Sequence, residues 1–270
     1  MKDQQSLWMK LEKTVGLQKL IALIALVVIF GFFAISSESF RSFDTAVSIL
    51  DASYYIGFLA IGVTFVIITS GIDLSIGTVM MCSAIIGGVL HTKLGWPLWL
   101  SLLAILVIGG VFGLFNGILI AKFGLPPFIA TLGTMMISRG LSSIVSNVQS
   151  VTFPLRGTGE GWYKDLFRTK DNFPTGLIVL IVIAIIAAIV LNKTKIGRYI
   201  FAIGSNKEAT RLSGVNVIKW EAMAYVISGL FAGLAGIAYA ATYSTILPGT
   251  GNGMELDAIA GVVVGGTSLA

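Results

Sequence analysis

One acid stands alone in a long apolar run. From Ile56 to Leu90, 35 residues, Asp73 is the sole charged side chain, and it lies between two glycines in Gly71-Ile-Asp-Leu-Ser-Ile-Gly77. A carboxylate placed there can cap a helix that begins near Leu74 or Ser75, accepting bonds from the free amides of its first turn. It can instead face a polar pathway and meet ligand hydroxyls in passing. The flanking glycines favour the cap. Ser75 adds a hydroxyl to the same stretch, and a later apolar segment adds Thr131, Thr134, Ser138 and Arg139. An arginine at membrane depth is costly unless it is paired or near water. Arg139 therefore either lines a pathway or pairs with a carboxylate or with helix-end carbonyls. Gly71, Asp73, Ser75, Gly77, Thr131, Thr134 and Arg139 are the candidates for the turn and the pathway.

Other chemistry is excluded by what the residues lack. The single histidine, His91, falls in a short loop and reads as solvated, since metal sites need several ligands. The single cysteine, Cys82, cannot form an internal disulfide and reads as a small apolar helix residue. The apolar segments carry no Ser/His pair, paired carboxylates or metal-ligand cluster. There is also no G-x-x-x-x-G-K-[ST] phosphate loop. No catalytic residue, metal or cofactor is expected in this chain, and any energy from ATP must come from elsewhere.

The elements that position these residues follow from composition and run length. Of 270 residues, 56% are hydrophobic and 11% charged, with a mean hydropathy of +0.92. Such a chain is an all-α, polytopic helical membrane protein. A net charge of +5 sits in loops and does not point to nucleic acid. A bilayer core takes about 20 residues per crossing, whereas the run around Asp73 would make a straight helix of about 52 Å. The chain must turn near Asp73. A turn at membrane depth has to be packed in protein or line a cavity, and broken helices of that kind mark transport pathways.

The expected crossings are 20–35, 48–69, 75–90, 98–121, 128–145, 177–191 and 222–243. A final apolar segment, 258–270, has 13 residues, too few to span, so about seven to eight crossings are expected and the chain reads as incomplete at its C-terminus. Gly109, Gly113 and Gly117 form one ridge; Gly229 with Gly233, and Ala232 with Gly236 and Ala240, form others, and such ridges let helices approach closely in lipid. Asn116 beside the first ridge is expected to bond across helices. Residues 147–175 read as an external surface loop, and 1–19 as a cytoplasmic segment with an amphipathic face.

Charge sets the orientation. Lys2, Lys10, Lys13, Lys19, Lys122, Lys193, Lys195, Arg198, Lys207, Arg211 and Lys219 fall on one side, against Arg41, Lys93, Arg156, Lys164, Arg168 and Lys170 on the other. The positive-inside rule puts the N-terminus and residues 192–220 in the cytoplasm. Within 192–220 a short helix is legible: Ser205 or Asn206 can cap it, Glu208 sits in its first turn, and Gly214 can end it. A short helix there suits docking of a soluble partner.

Several stretches together resemble the permease subunits of bacterial ABC importers for simple sugars, the ribose, xylose, galactose and allose type. They are Gly71-Ile-Asp-Leu-Ser-Ile-Gly77, Phe115-Asn-Gly-Ile-Leu119, Pro126-Pro-Phe-Ile-Ala-Thr-Leu-Gly-Thr134, Gly204-Ser-Asn-Lys-Glu-Ala209 with Leu212-Ser-Gly214, and Glu255-Leu-Asp-Ala-Ile-Ala260 with Gly265-Gly-Thr-Ser268. The resemblance implies a type II importer fold in the bacterial cytoplasmic membrane. It implies a second permease copy, a cytoplasmic ATPase and an external sugar-binding protein as partners. It makes 192–220 the ATPase-coupling loop, with Ser205, Asn206, Glu208, Ala209 and Gly214 as coupling residues, and 20–270 the permease domain. Permeases of this kind continue past the Gly-Gly-Thr-Ser motif. The competing readings are an ion-coupled secondary transporter, which would need an intramembrane acid such as Asp73, and an ABC permease for a nucleoside or an autoinducer-like sugar.

Overall fold

The computed structural model describes residues 17–169 and 173–267. The expected amphipathic face of 1–19 lies outside them, save that 17–19 already belong to the first helix, α1 (Leu17–Ser36). After a 3₁₀ turn (Ser39–Arg41) come α2 (Phe43–Ile68), α3 (Ile76–Thr92) and α4 (Leu98–Gly117), whose end continues as a π-helical turn (Ile118–Lys122). Then follow α5 (Pro127–Ser146), a short strand β1 (Val151–Thr152), a 3₁₀ turn (Gly161–Tyr163) and the single-turn α6 (Lys164–Phe167). The chain closes with α7 (Thr175–Lys193), α8 (Lys195–Ser205), α9 (Lys207–Leu212), α10 (Val217–Tyr243), β2 (Thr245–Ile246) and α11 (Met254–Gly265). Among the described residues the architecture is all-α apart from the β1–β2 ladder.

Local chemistry sets the helix starts. Ser42 accepts the Thr45 amide before α2, Pro127 stands at the first position of α5 where no amide partner exists, and Asn216 accepts the Lys219 amide before α10. Among the described residues, five helices are long and apolar enough to cross a membrane: α2, α4 with its π-helical end, α5, α7 and α10. The third expected crossing is shorter. Helix α3 has 17 residues, about 25 Å of rise. The irregular residues 71–75 lead into it.

Helix α10 is the hub. It packs most extensively against α4 and α2, and Ala232, Ala235, Ala238, Ala240 and Ala241 on it are buried. By contrast α7 turns Ile181, Val182, Ile185 and Ile186 outward, and α1 does the same with Val27, Val28 and Phe32. Such faces suit lipid.

The surface stretch expected at 147–175, described at 147–169 and 173–175, is anchored to the bundle. It folds back over the end of α10: β1 pairs antiparallel with β2, the Phe153 amide donates to the Ser244 carbonyl at 2.8 Å, and Tyr163 Oη donates to the Ala240 carbonyl at 3.2 Å. Lys164 is 1% exposed and donates to Ser244 Oγ. Burial, with Arg168 and Arg156 nearby, lowers its pKa to about 8. Asp51 in the third turn of α2 accepts the Thr169 amide and hydroxyl and faces Arg168 Nε at 3.6 Å. His91 is not simply solvated. Its Nδ1 meets the Trp96 carbonyl at 2.9 Å and its Nε2 lies 3.3 Å from Glu160.

Candidate functional site

The break between α2 and α3 is built from the residues expected there, with a different division of labour. Helix α2 ends in a left-handed residue, and that residue is Ser70 (φ 61), not Gly71. Gly71 is needed for space: a Cβ on it would lie 2.5 Å from Tyr225 Oη. Gly77 is needed for the same reason, since a Cβ there would lie 2.3 Å from the Gly251 carbonyl oxygen and 2.8 Å from Glu255 Oε2.

Asp73 does not occupy the cap position of α3. That position belongs to Ser75, and residues 71–75 hold no regular structure before it. The carboxylate instead closes a local turn by accepting the Ser75 amide at 3.0 Å and the Ser75 hydroxyl at 2.6 Å on Oδ1. The reason is reach. The side chain stands two residues before the cap, so it meets the Ser75 amide and not those of the first helical turn. Its Oδ2 accepts the Ser228 hydroxyl of α10 at 3.0 Å.

From Asp73 the polar chain runs across the bundle. Asn116 Nδ2 on α4 donates to Ser75 Oγ at 2.9 Å, and Thr134 Oγ1 on α5 donates to Asn116 Oδ1 at 2.5 Å. Beside it, Ser138 donates to Thr78 Oγ1 at 2.8 Å, which donates to the Ser75 carbonyl at 3.0 Å. Thr131 donates to the Pro127 carbonyl at 2.9 Å and lies 3.5 Å from the Ile72 carbonyl. Every donor of the main chain points towards Asp73, which only accepts. Asp73, Ser75, Thr131 and Thr134 are each at most 1% exposed. In this structure these groups bond to one another and to backbone, and buried polar groups satisfied in this way rigidify the elements they join. The network fastens the broken turn to α4, α5 and α10.

Arg139 stands apart from this network. Its Nε donates to the Gly249 carbonyl at 3.2 Å, while Ser142 Oγ accepts the Gly249 amide at 3.0 Å. It holds the loop after β2 against α5 through a carbonyl, not a carboxylate. Glu255, with both oxygens on the Gly253 amide at 3.0 and 3.1 Å, closes the same loop.

The second group of candidates forms a compact surface unit. Asn206, not Ser205, caps α9, accepting the Ala209 amide at 2.8 Å; Ser205 is the last residue of α8. Gly214 is left-handed (φ 82) and its amide donates to the Arg211 carbonyl at 3.0 Å. A Cβ at Gly214 would meet nothing within 4 Å, so backbone conformation alone makes glycine the residue there. Glu208 pairs with Arg211 at 2.6 Å, and Leu212 is left 78% exposed. Residues that the sequence did not single out complete both groups. Ser228 and Tyr225 belong to the turn, and Lys207 with Glu221 binds α9 to α10. A serine next to the small-residue ridge of α10 reads as one more small residue, so only its neighbour in space reveals it.

A bundle of apolar helices around a re-entrant break, with a capped polar helix standing off one end, defines the class: a multi-pass membrane permease. The comparisons agree. The family model described as "Branched-chain amino acid transport system / permease component" matches residues 45–270, and the chain belongs to that family. Its relatives include the ribose import permease protein of Haemophilus influenzae, 36% identical over 252 residues, covering 91% of this chain and 76% of the relative. The ribose import permease protein of Escherichia coli K12 is 37% identical over 253 residues (92% and 77%). The fructose import permease protein of Bifidobacterium longum is 36% identical over 265 residues (93% and 76%). No solved structure matches. The protein is thus a transport component of the inner membrane, not an enzyme.

Proposed function

We infer that this chain is the membrane-spanning subunit of an ATP-driven importer for a monosaccharide of the ribose, xylose or fructose kind, the sugars named in its relatives. In this reading a separate ATPase binds and hydrolyses the nucleotide, so the permease itself holds no cofactor. An external binding protein delivers the sugar, and a second permease copy completes the pathway. Residues 192–220 and the N-terminus face the cytoplasm, and 147–175 face outward. The observation that carries the reading is α9, capped by Asn206, stopped by Gly214 and bearing the exposed Leu212 beside the broken turn. Short exposed helices with an apolar knob suit insertion into a partner's groove.

Orientation is tested with single cysteines at Thr158 and Ser205. An impermeant thiol reagent added to intact cells should label Thr158→Cys and leave Ser205→Cys untouched. The native Cys82 is buried. Labelling of Ser205→Cys would invert the topology.

Docking is tested with Gly214→Val and Glu208→Lys. The valine forces a β-branched side chain into a left-handed position, at about 1–2 kcal/mol, in a stretch remote from the bundle core. Sugar uptake and substrate-stimulated ATP hydrolysis should both fall while the amount of permease in the membrane holds. Normal ATPase capture and uptake by both variants would remove α9 from the mechanism.

A further inference from the structure

Glu221, in the second turn of α10, is 6% exposed. A buried carboxylate is strongly unfavourable without a partner, and this one accepts Lys207 Nζ on Oε1 at 2.8 Å, with Oε2 2.7 Å from the same ammonium. The lysine is the first residue of α9. The pair therefore joins the outlying helix to the hub of the bundle.

The α8–α9 unit touches the broken turn by a second route. A Cβ at Gly204 would lie 1.8 Å from the Ile68 carbonyl oxygen, so the backbone of α8 rests directly on the end of α2. Between the two contacts is a cleft of about 410 Å³, lined by Thr69, Ser70, Pro126, Asn206, Lys207 and Glu221. The unit thus bears on α2 at Gly204, packs on α10 through Tyr199 against Trp220, and ties the start of α9 to α10 through the charge pair beside an open cleft. Among the described residues, the charge pair is the side-chain bond that joins α9 itself to α10.

What α10 carries is the other half of the argument. Ser228 follows Glu221 by seven residues, two helical turns, so both lie on one face about 10 Å apart along the axis. Tyr225 lies between them, and its hydroxyl packs against Gly71. Helix α10 is continuous for 27 residues, so a pull at Glu221 reaches Ser228, whose hydroxyl is bonded to Asp73. Contiguous rigid elements and hydrogen bonds are what carry coupling between distant sites.

We propose that the Lys207–Glu221 ion pair is the tie through which a docked ATPase displaces α10 and, through Ser228, the broken turn at Asp73. The proposal rests on the docking of α9. Both residues are positioning residues, and neither meets the sugar.

The test uses the complete importer in proteoliposomes, with ATPase and binding protein, and reads sugar taken up per ATP hydrolysed together with ATPase retained on the permease. The double variant Lys207→Met/Glu221→Gln removes both charges, which leaves no unpaired buried ion and is close to neutral for folding. It should keep the ATPase bound and lose about tenfold in sugar per ATP, a coupling loss of the usual size. The charge swap Lys207→Glu/Glu221→Lys should regain most of that ratio, which a merely structural contact at either position would not predict. An unchanged ratio in the double neutral variant overturns the proposal. So does a swap that assembles and regains nothing. Loss of the ATPase from the double neutral variant overturns it too, by making the pair part of the dock. Failure of the docking reading itself shows separately, as wild-type ATPase capture by Gly214→Val.

Discussion

Gly229→Leu should leave almost no assembled permease. A Cβ at that position would lie 2.2 Å from the Gly109 carbonyl oxygen and 2.9 Å from the Gly113 backbone. The clash is mutual: a Cβ at Gly109 would lie 2.2 Å from the Gly229 carbonyl oxygen, and one at Gly113 would lie 2.2 Å from that of Tyr225. Helices α4 and α10 therefore meet backbone to backbone, and no side chain can swing aside. In lipid such close packing is itself the force that joins helices. Parting them also draws Asn116 and Ser228, which sit on opposite partners, away from the turn they both hold. The cost should exceed the about 1–3 kcal/mol of ordinary overpacking. The measurement is the yield of monodisperse protein extracted from membranes, with Gly31→Leu on α1 as control, because nothing lies within 4 Å of a Cβ there. Equal yields of the two variants would show that the α4–α10 contact does not hold the bundle together.

The glycines of that contact were visible in the sequence as ridges, on α4 at 109, 113 and 117 and on α10 at 229 and 233. What the sequence could not say is that the two ridges face each other. Every helix here is apolar, and a spacing of four describes one surface and never its partner. The apolar helices themselves were legible because the bilayer fixes run length, and the break at 71–77 because one acid between glycines cannot sit inside a lipid-facing helix. Asn116 was legible as a cross-helix polar group. Ser228 and Tyr225 were not, since their polar atoms acquire meaning only against Asp73 and Gly71. The anchoring of the loop 147–175 was not legible from composition. Its anchoring residues Val151, Phe153, Tyr163 and Lys164 are buried singly along an irregular path, and a two-residue ladder leaves no alternating pattern to read. Asn206 and Gly214 bracketed α9 correctly because caps are local chemistry, fixed within a few residues of chain. Lys207 and Glu221 are 14 positions apart on different helices, a separation that no local rule links.

Asp73 separates a fastening role from a pathway role most sharply. Alanine there removes the only acceptor for three donors, the Ser75 amide, the Ser75 hydroxyl and the Ser228 hydroxyl. Leaving a buried donor unpaired costs about 1–3 kcal/mol each, and local relaxation recovers part of it. Asp73→Ala should therefore lose most of the assembled permease. Asparagine behaves differently. Its oxygen still accepts both bonds from Ser75, and its amide can donate to Ser228 once that hydroxyl turns to the carbonyl four residues back, an option open to any helical serine. Asp73→Asn should assemble in near-normal amount and move sugar at a near-normal rate. The combination Asp73→Asn/Ser228→Ala restores an unpaired amide and should fall to between the two single Asp73 variants in yield. A pathway role for the carboxylate makes another forecast, in which Asp73→Asn assembles fully but shows an altered uptake rate or altered preference among ribose, xylose and fructose. That outcome would move Asp73 from the fastening of the turn to the passage of the sugar. Full assembly of Asp73→Ala would instead show that the three donors find other partners and that the network does not depend on its acid.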